Sequence, residues 1–338
     1  MTQVEAIIPY YQREAGHLLR AVRSVLDQDG VSARAIVVDD GSPRPAREDL
    51  AALSPGERAR VTLIEQANGG AGRARNAGLE AVSPGTDYVA FLDSDDAWQP
   101  HHLAHACDAL SRPGARLFYD GVEADDAFAE AYAPPSALLD PRRVTRPGDA
   151  PHLIQIDHPL ALLCGPWFRH MHLSVTVLTA ELARNVRFDP AFPYADDFEF
   201  FHKCARRGGI WVIDDRPGAR RGTGDNLWHG VGPADIRYSR EKLFSARILA
   251  RLEREPDLDA QSRTALRARR QLYRSQFYWA QRDRMRAGHG PDLALWRRFL
   301  ASDPRLVGFV LARLLRRPLP NLPDPADGVE PGQGSARS

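Results

Sequence analysis

Within the first hundred residues, short β-branched runs alternate with stretches of helical periodicity, and this alternation limits the fold more than any other feature. "VEAIIPYY" is an apolar run closed by a proline and two tyrosines. In "AGHLLRAVRSVLDQD", Leu18, Leu19, Val22, Val25 and Leu26 fall at helical spacing. "ARAIVVDDGS" is a second β-branched run, stopped by Asp-Gly-Ser, and "RVTLIEQ" a third. "GGAGRARNAGLEAV" begins glycine-rich and becomes helical, and "YVAFLDSDD" is a fourth run. Strands alternating with helices predict an α/β fold with a mostly parallel, doubly wound sheet. Ligands of such sheets bind beyond the carboxyl ends of the strands. The acidic clusters "DDGS" and "DSDD" both terminate strands, so they are expected on one edge.

The remaining chain is read by texture. Residues 113–166 are rich in Pro, Ala and charge with little periodicity, and an irregular excursion of the sort that often covers a site is expected there. Order returns after it, with a helix predicted over Asp197–Arg206. These parts form an expected catalytic domain over residues 1–233. A helical region follows over 234–317, with Leu243, Phe244, Ile248, Leu249 and Leu252 along one face, and a Pro/Gly/Ser-rich tail over 318–338 is expected to be disordered. Between Asp235 and Arg317 there are 20 Lys+Arg against 9 Asp+Glu, leaving 25 against 35 elsewhere, so an acidic body and a basic C-terminal region lie behind the net charge of +1. No nucleic-acid partner is expected. Cys107, Cys164 and Cys204 form no CxxC pair, which disfavours a disulfide framework or zinc site and fits a reducing cytoplasm. No apolar run is long enough to span a bilayer. Pro304 divides an apolar, arginine-flanked segment into two short helices. These suit either an anionic membrane surface, on the inner face of the cell membrane, or packing within the protein.

Four constellations could carry chemistry, and each has a bland reading beside it. Asp93, Ser94, Asp95 and Asp96 place three carboxylates in four positions. Hard oxygen donors at a strand end suit Mg²⁺ or Mn²⁺. The bland reading is an acidic cap for the helix of "WQPHHLAHACDAL", with Asp96 as that cap while Asp93 and Asp95 face a ligand. Asp39-Asp40-Gly41-Ser42 offers a carboxylate to the N–H of a nucleobase, or is an ordinary turn. "NGGAGRARNAG" brings glycines and Arg73 and Arg75 to a helix start, where backbone and guanidinium can approach a nucleotide. Asp196 and Asp197 in "YADDFEFF" open a helix, as acids favoured there by the dipole or as a general base. His101, His102 and His105 lack an evident third ligand and are expected as solvated surface. "GPWFRHMHLS", which contains His172, reads equally well as aromatic packing or sugar stacking.

Taken in order, "IIPYYQ", "VVDDGS", "NGGAGRARNAG", "YVAFLDSDD" and the acidic pair before an amphipathic helix closely resemble glycosyltransferase family 2, whose members have the GT-A fold. The resemblance spans roughly residues 3–230. It implies that Pro9 and Tyr11 border the base of a nucleotide-diphosphate sugar, taken as a UDP-sugar, and that Asp40 hydrogen-bonds that base. Asn68, Arg73 (or Arg75 in its place) and Asn76 would line the nucleotide pocket, with Ser94 beside it. Asp93 would lie near the ribose and the metal, and Asp95 would be the principal ligand of a Mn²⁺ or Mg²⁺ that bridges the two phosphates. Asp197 would be the general base, with Asp196 as the alternate. The implied reaction is a single in-line displacement with inversion, onto a saccharide or polyprenyl-linked saccharide acceptor of a surface polysaccharide.

The chain departs from the family pattern in places. Gln12 stands where Asn is common. Gly222 and Thr223 occupy the neighbourhood of a frequent diphosphate-facing His, with His229 further on. The Q-x-x-R-W pattern of processive synthases is missing, which implies one sugar per encounter. A nucleotidyltransferase and a non-catalytic nucleotide-sugar-binding protein are the competing readings, and association as a homo-oligomer is left open.

Overall fold

The computed structural model describes residues 2–14, 16–123, 134–139, 141–164, 172–222 and 231–314. The chain divides into two compact units, Met1–Asn226 and Leu227–Ser338. The expected tail over 318–338 lies outside the described residues.

In the first unit β1 (Gln3–Tyr10), α1 (His17–Leu26), β2 (Ser32–Asp39), β3 (Val61–Glu65), α4 (Ala71–Ala81) and β4 (Tyr88–Phe91) follow the predicted alternation, and two short helices not predicted, α2 (Ala46–Leu50) and α3 (Pro55–Arg58), join β2 to β3. The strands pair in parallel in the order β3-β2-β1-β4. The near-continuous burial of β1 and β2 reflects helices on the sheet faces. Helix α1 buries Leu18, Val22, Val25 and Leu26 of the periodic set together with Ala21, while Leu19 is half-buried. Helix α4 comes so close to β1 that a Cβ on Gly78 would lie 2.4 Å from Ile7 Cγ2, which explains the last glycine of "ARNAG".

Beyond β4 the sheet becomes mixed. The elements are β5 (Ala97–Trp98), α5 (His102–Leu110), β6 (Ala115–Glu123), β7 (Leu153–Ile156), α6 (Pro159–Cys164), β8 (Thr176–Thr179), α7 (Ala180–Arg184), α8 (Asp196–Arg206) and β9 (Ile210–Arg220). The order continues β4-β8-β6-β9-β5, with β7 also on β9. Strand β8 runs antiparallel to both β4 and β6. Two expectations are corrected here. Residues 113–166 are not uniformly irregular, since β6 is a buried inner strand and β7 and α6 add further order. The His101–His105 group is not all surface. His102 is 0% exposed, and its Nδ1 lies 2.7 Å from Oδ2 of buried Asp120. Burial pushes the Asp120 carboxyl up to about 6, although the His102 pairing opposes it.

The second unit is helical: α9 (Ile236–Leu252), α10 (Ala260–Arg286), α11 (Leu293–Ser302) and α12 (Arg305–Leu314). Asp235, Asp259 and Asp292 cap the first three through side-chain bonds. The predicted face of α9 is buried, as are Phe277, Leu295, Phe299, Leu306 and Phe309. Part of the basic excess is neutralised inside this unit. Asp303, 1% exposed, accepts from Arg274 Nε at 2.6 Å and faces Arg270 Nη2 at 3.4 Å, while Arg270 also pairs with Glu253. No described helix is long and apolar enough to cross a membrane.

Candidate active site

Parallel pairing of β2 with β1 and of β1 with β4 puts "DDGS" and "DSDD" on one sheet edge. The first cluster is committed mainly to backbone. Asp39 accepts from Ser42 N and from Ala46 N at the start of α2. Asp40, 3% exposed, accepts Gly69 N at 2.8 Å on Oδ1 and Gly70 N at 2.7 Å on Oδ2. Gln66 donates to the same Oδ1, and Asn68 Nδ2 donates to the Asp40 carbonyl at 3.0 Å. The Asp40 carboxylate thus accepts three hydrogen bonds from the protein itself. It fixes the "NGG" turn at the head of α4, and one lone-pair direction of Oδ2 remains for a base N–H. Pro9 is half-buried at the end of β1 and Tyr11 beyond it is 40% exposed.

Arg75, rather than Arg73, is the arginine that joins the acidic clusters. It lies on the buried face of α4 and donates from Nη2 to Asp93 Oδ1 at 2.8 Å and from Nη1 to Asp196 Oδ2 at 3.1 Å. Its guanidinium sits 5.4 Å from the centre of the Phe188 ring, which stacks on Phe200 of α8 at 4.1 Å. Phe91, the last residue of β4, meets both rings edge-on. A compact aromatic cluster thus fixes strand end, arginine and helix α8 relative to one another. The side-chain amide of Asn76 pairs in both directions with the Phe188 backbone, at 2.9 and 2.8 Å.

The second acidic cluster divides its labour. Asp93 is held below the usual carboxylate range, because the Arg75 charge, with His172 and Arg221 nearby, outweighs the effect of burial. Ser94 is buried and accepts from Gln12 Nε2 at 3.1 Å, so Gln12 has a positioning role in place of the usual Asn. Asp95 is pushed up to about 6 by burial and by the charges of Asp96 and Asp93. Asp96 is no helix cap: α5 begins only at His102, and β5 intervenes. Instead Asp96, 2% exposed, accepts from Ser174 Oγ at 2.6 Å and from Gly222 N at 2.9 Å. A Cβ on Gly222 would run into the Asp95 carbonyl, so only glycine allows this approach. Thr223 and His229 lie outside the described residues.

Among the described residues, Asp93, Asp96 and His172 each bring one potential donor atom within 4.8 Å of the others, a grouping that could hold a metal ion. The sequence expectation put Asp95 beside Asp93 as the principal ligand; Asp93 is common to both sets, and Asp95 is the neighbour of Asp96. Two carboxylates and an imidazole fit a divalent cation, and the nitrogen donor favours Mn²⁺ over Mg²⁺, which prefers an all-oxygen shell. His172 had no local sequence signal as a ligand. The pairing of β8 with β4 carries it to the site from nearly eighty residues away.

At the start of α8, Ala195 has φ 56°, the left-handed region and the one such non-glycine among the described residues. That strained entry directly precedes the two acids. Asp196 is committed to Arg75. Asp197 accepts only its neighbour's Phe198 N, at 2.7 Å on Oδ1, among the described residues. Burial, and then the adjacent Asp196 charge, push its carboxyl up to about 6.

A sequence model of glycosyl transferase family 2 matches residues 5–164. The succinoglycan biosynthesis protein ExoW of Rhizobium meliloti (strain 1021) is 34% identical over 309 residues, covering 91% of this chain and 96% of that protein. The chain belongs to glycosyl transferase family 2. It is a glycosyltransferase, and the nucleotidyltransferase alternative is dropped. Among solved structures, S. aureus TarS 1-349 in complex with UDP superposes with a TM-score of 0.61 at 16% identity, covering 93% of this chain and 85% of that one. The mannosyltransferase PcManGT of Pyrobaculum calidifontis, in complex with GDP-Man and Mn²⁺, gives 0.56 at 18% identity, covering 93% and 88%. The sheet and surrounding helices of the first unit are thus those of the GT-A fold.

Proposed function

We propose that this family 2 enzyme moves one sugar from a nucleotide-diphosphate donor, a UDP-sugar, to a hydroxyl of a saccharide or polyprenyl-linked saccharide, with inversion, during exopolysaccharide assembly. The observation that carries the reading is Arg75, a buried guanidinium with the cation-type cluster at one hand and the acids of α8 at the other. Support for the donor class comes from the UDP and GDP-Man complexes of the structural neighbours, and for the pathway from the name of ExoW.

A Mn²⁺ or Mg²⁺ held by Asp93, Asp96 and His172 would neutralise the departing diphosphate. The protein's own groups supply the rest. Asp40 and the turn it clamps, with Pro9 and Tyr11, receive the base. Arg75 holds Asp196 in an ion pair, so Asp197 Oδ2 is the carboxylate atom left to take the acceptor hydroxyl proton. A carboxyl near 6 is ionised at neutral pH yet basic enough to accept a proton. Attack from its side, opposite the diphosphate, inverts the anomeric carbon. Incubating the full chain with a panel of UDP- and GDP-sugars and Mn²⁺ should release nucleoside diphosphate from at least one donor. No release from any donor, with or without a saccharide acceptor, would contradict the reading.

The second unit is proposed to meet an anionic membrane surface, where a lipid-linked acceptor would be presented. Leu293, Val307 and Leu311 are 69%, 49% and 52% exposed, beside exposed Arg297, Arg298 and Arg305. Apolar side chains flanked by arginines suit the interface of an anionic bilayer. Truncating α11 and α12 would remove the buried Phe299 and Phe309, so substitution is the cleaner test. Val307→Glu with Leu311→Glu should weaken partitioning onto anionic vesicles at low salt by tenfold or more, given about 1.5–3 kcal/mol per large aliphatic side chain. Equal partitioning by the double variant would place this face against protein instead.

A further inference from the structure

The strand register singles out a residue that neither the sequence motifs nor the family pattern points to. Strand β8 lies antiparallel on β4 with Ala90 opposite Val177. Continuing that register three residues past Ala90 reaches Asp93, and three residues back from Val177 reaches Ser174. Ser174 is 0% exposed, and it touches every member of the proposed cation cluster. Its Oγ accepts from Asp93 N at 2.9 Å and donates to Asp96 Oδ2 at 2.6 Å. Its own N–H donates to His172 Nδ1 at 3.3 Å. Its carbonyl accepts the buried Trp98 indole N–H at 2.5 Å, which anchors the segment from the other side.

We infer that Ser174 is the positioning residue of the cation site, aligning Asp96 and the Asp93 backbone through one hydroxyl; this rests on the cation reading proposed above. The hydroxyl has one proton, and it goes to Asp96. The Asp93 amide can therefore approach the same oxygen only as a donor, and the two bonds lock one another. Removing Oγ frees an Asp93 N–H at the strand end. It also leaves Asp96 with one bond, from Gly222 N, beside two other carboxylates that repel it. Partners of this kind, one shell out from a metal ligand, commonly set affinity by 10- to 100-fold.

The test is Mn²⁺ binding to the full chain in the presence of UDP, read by the electron paramagnetic resonance of free Mn²⁺, with thermal unfolding measured alongside. Ser174→Ala should weaken Mn²⁺ binding by roughly tenfold or more. UDP binding without metal should be unchanged. A cycle with Asp96→Asn should be strongly non-additive, because Ser174 acts through Asp96. A merely structural serine would lower the unfolding temperature and leave the Mn²⁺ affinity alone. If Ser174→Ala does not fold, Ser174→Cys, similar in shape but a weaker donor, should show an intermediate loss of affinity. Wild-type protein that takes up no Mn²⁺ overturns the cation reading itself. Mn²⁺ binding by wild type with equal affinity in the folded variant overturns the role of Ser174 alone.

Discussion

Asp197→Asn should keep nucleotide-sugar binding and lose transfer by roughly 10²–10⁴-fold, the scale of a removed general base. The amide keeps an oxygen for the Phe198 N–H, so the start of α8 stays formed and the loss is chemical. Asp196 cannot readily substitute, since its carboxylate is held by Arg75. The pH profile gives an independent check. With its carboxyl at about 6, Asp197 is mostly protonated below that pH, so kcat/KM should rise as pH increases through about 6. Stability runs the other way. An acid whose folded pKa lies above its unfolded value, about 3.9, favours the folded state when protonated, and that contribution is lost as pH rises from about 4 through 6. A variant that transfers sugar at the wild-type rate, or a wild-type profile flat between pH 5 and 7, would place the base elsewhere.

Arg75→Met should be the most damaging substitution for the fold around the site. It leaves Asp93 and Asp196, with side chains 32% and 21% exposed, facing each other without their shared cation. Breaking a buried pair from one side costs about 3–5 kcal/mol, and the partial exposure of the two acids argues for the lower end. The methionine keeps much of the packing on Phe188, so the loss measured by denaturant unfolding reports mainly charge. Asp196, no longer held, should also raise the proton affinity of Asp197, shifting the rising limb of the pH profile upward. Lysine should recover little, because the bridge uses two guanidinium nitrogens with a fixed separation. Unfolding at the wild-type denaturant concentration would show that the bridge contributes nothing to stability.

The first half of the sheet was legible because β1, β2 and β4 are mostly apolar runs and α1 shows a helical period, whereas the short helices α2 and α3 gave no periodic signal. The carboxylates at the ends of β2 and β4 were legible too, since parallel pairing leaves one edge for both. What escaped the sequence was set by contacts distant along the chain. Strand β6 is buried along almost its whole length, so it lacks alternation, and it sits between a Pro-Gly turn and an acidic stretch that mask it. His172 and Ser174 enter only through the antiparallel insertion of β8, which no local pattern announces. His102 sits between two other histidines in a sequence that looks solvated, yet burial against Trp98 and Asp120 decides its place. Asp96 looked like a cap because acids before a helix usually are, and two intervening strand residues turn it inward instead. The choice between Arg73 and Arg75 followed from helix phase: Arg75 lies on the buried face of α4 with Ala74, Gly78 and Leu79.

The proposed activity turns on the acidic sheet edge, where Asp93, Asp96 and His172 would hold a divalent cation that neutralises the departing diphosphate. The most direct test is the rate of nucleoside diphosphate release from the best donor, measured in excess chelator and again after Mn²⁺ is restored. The structure predicts release near background in chelator and full recovery with Mn²⁺ in wild type, but not in Asp96→Asn. Undiminished turnover in chelator, or normal recovery by Asp96→Asn, would contradict it.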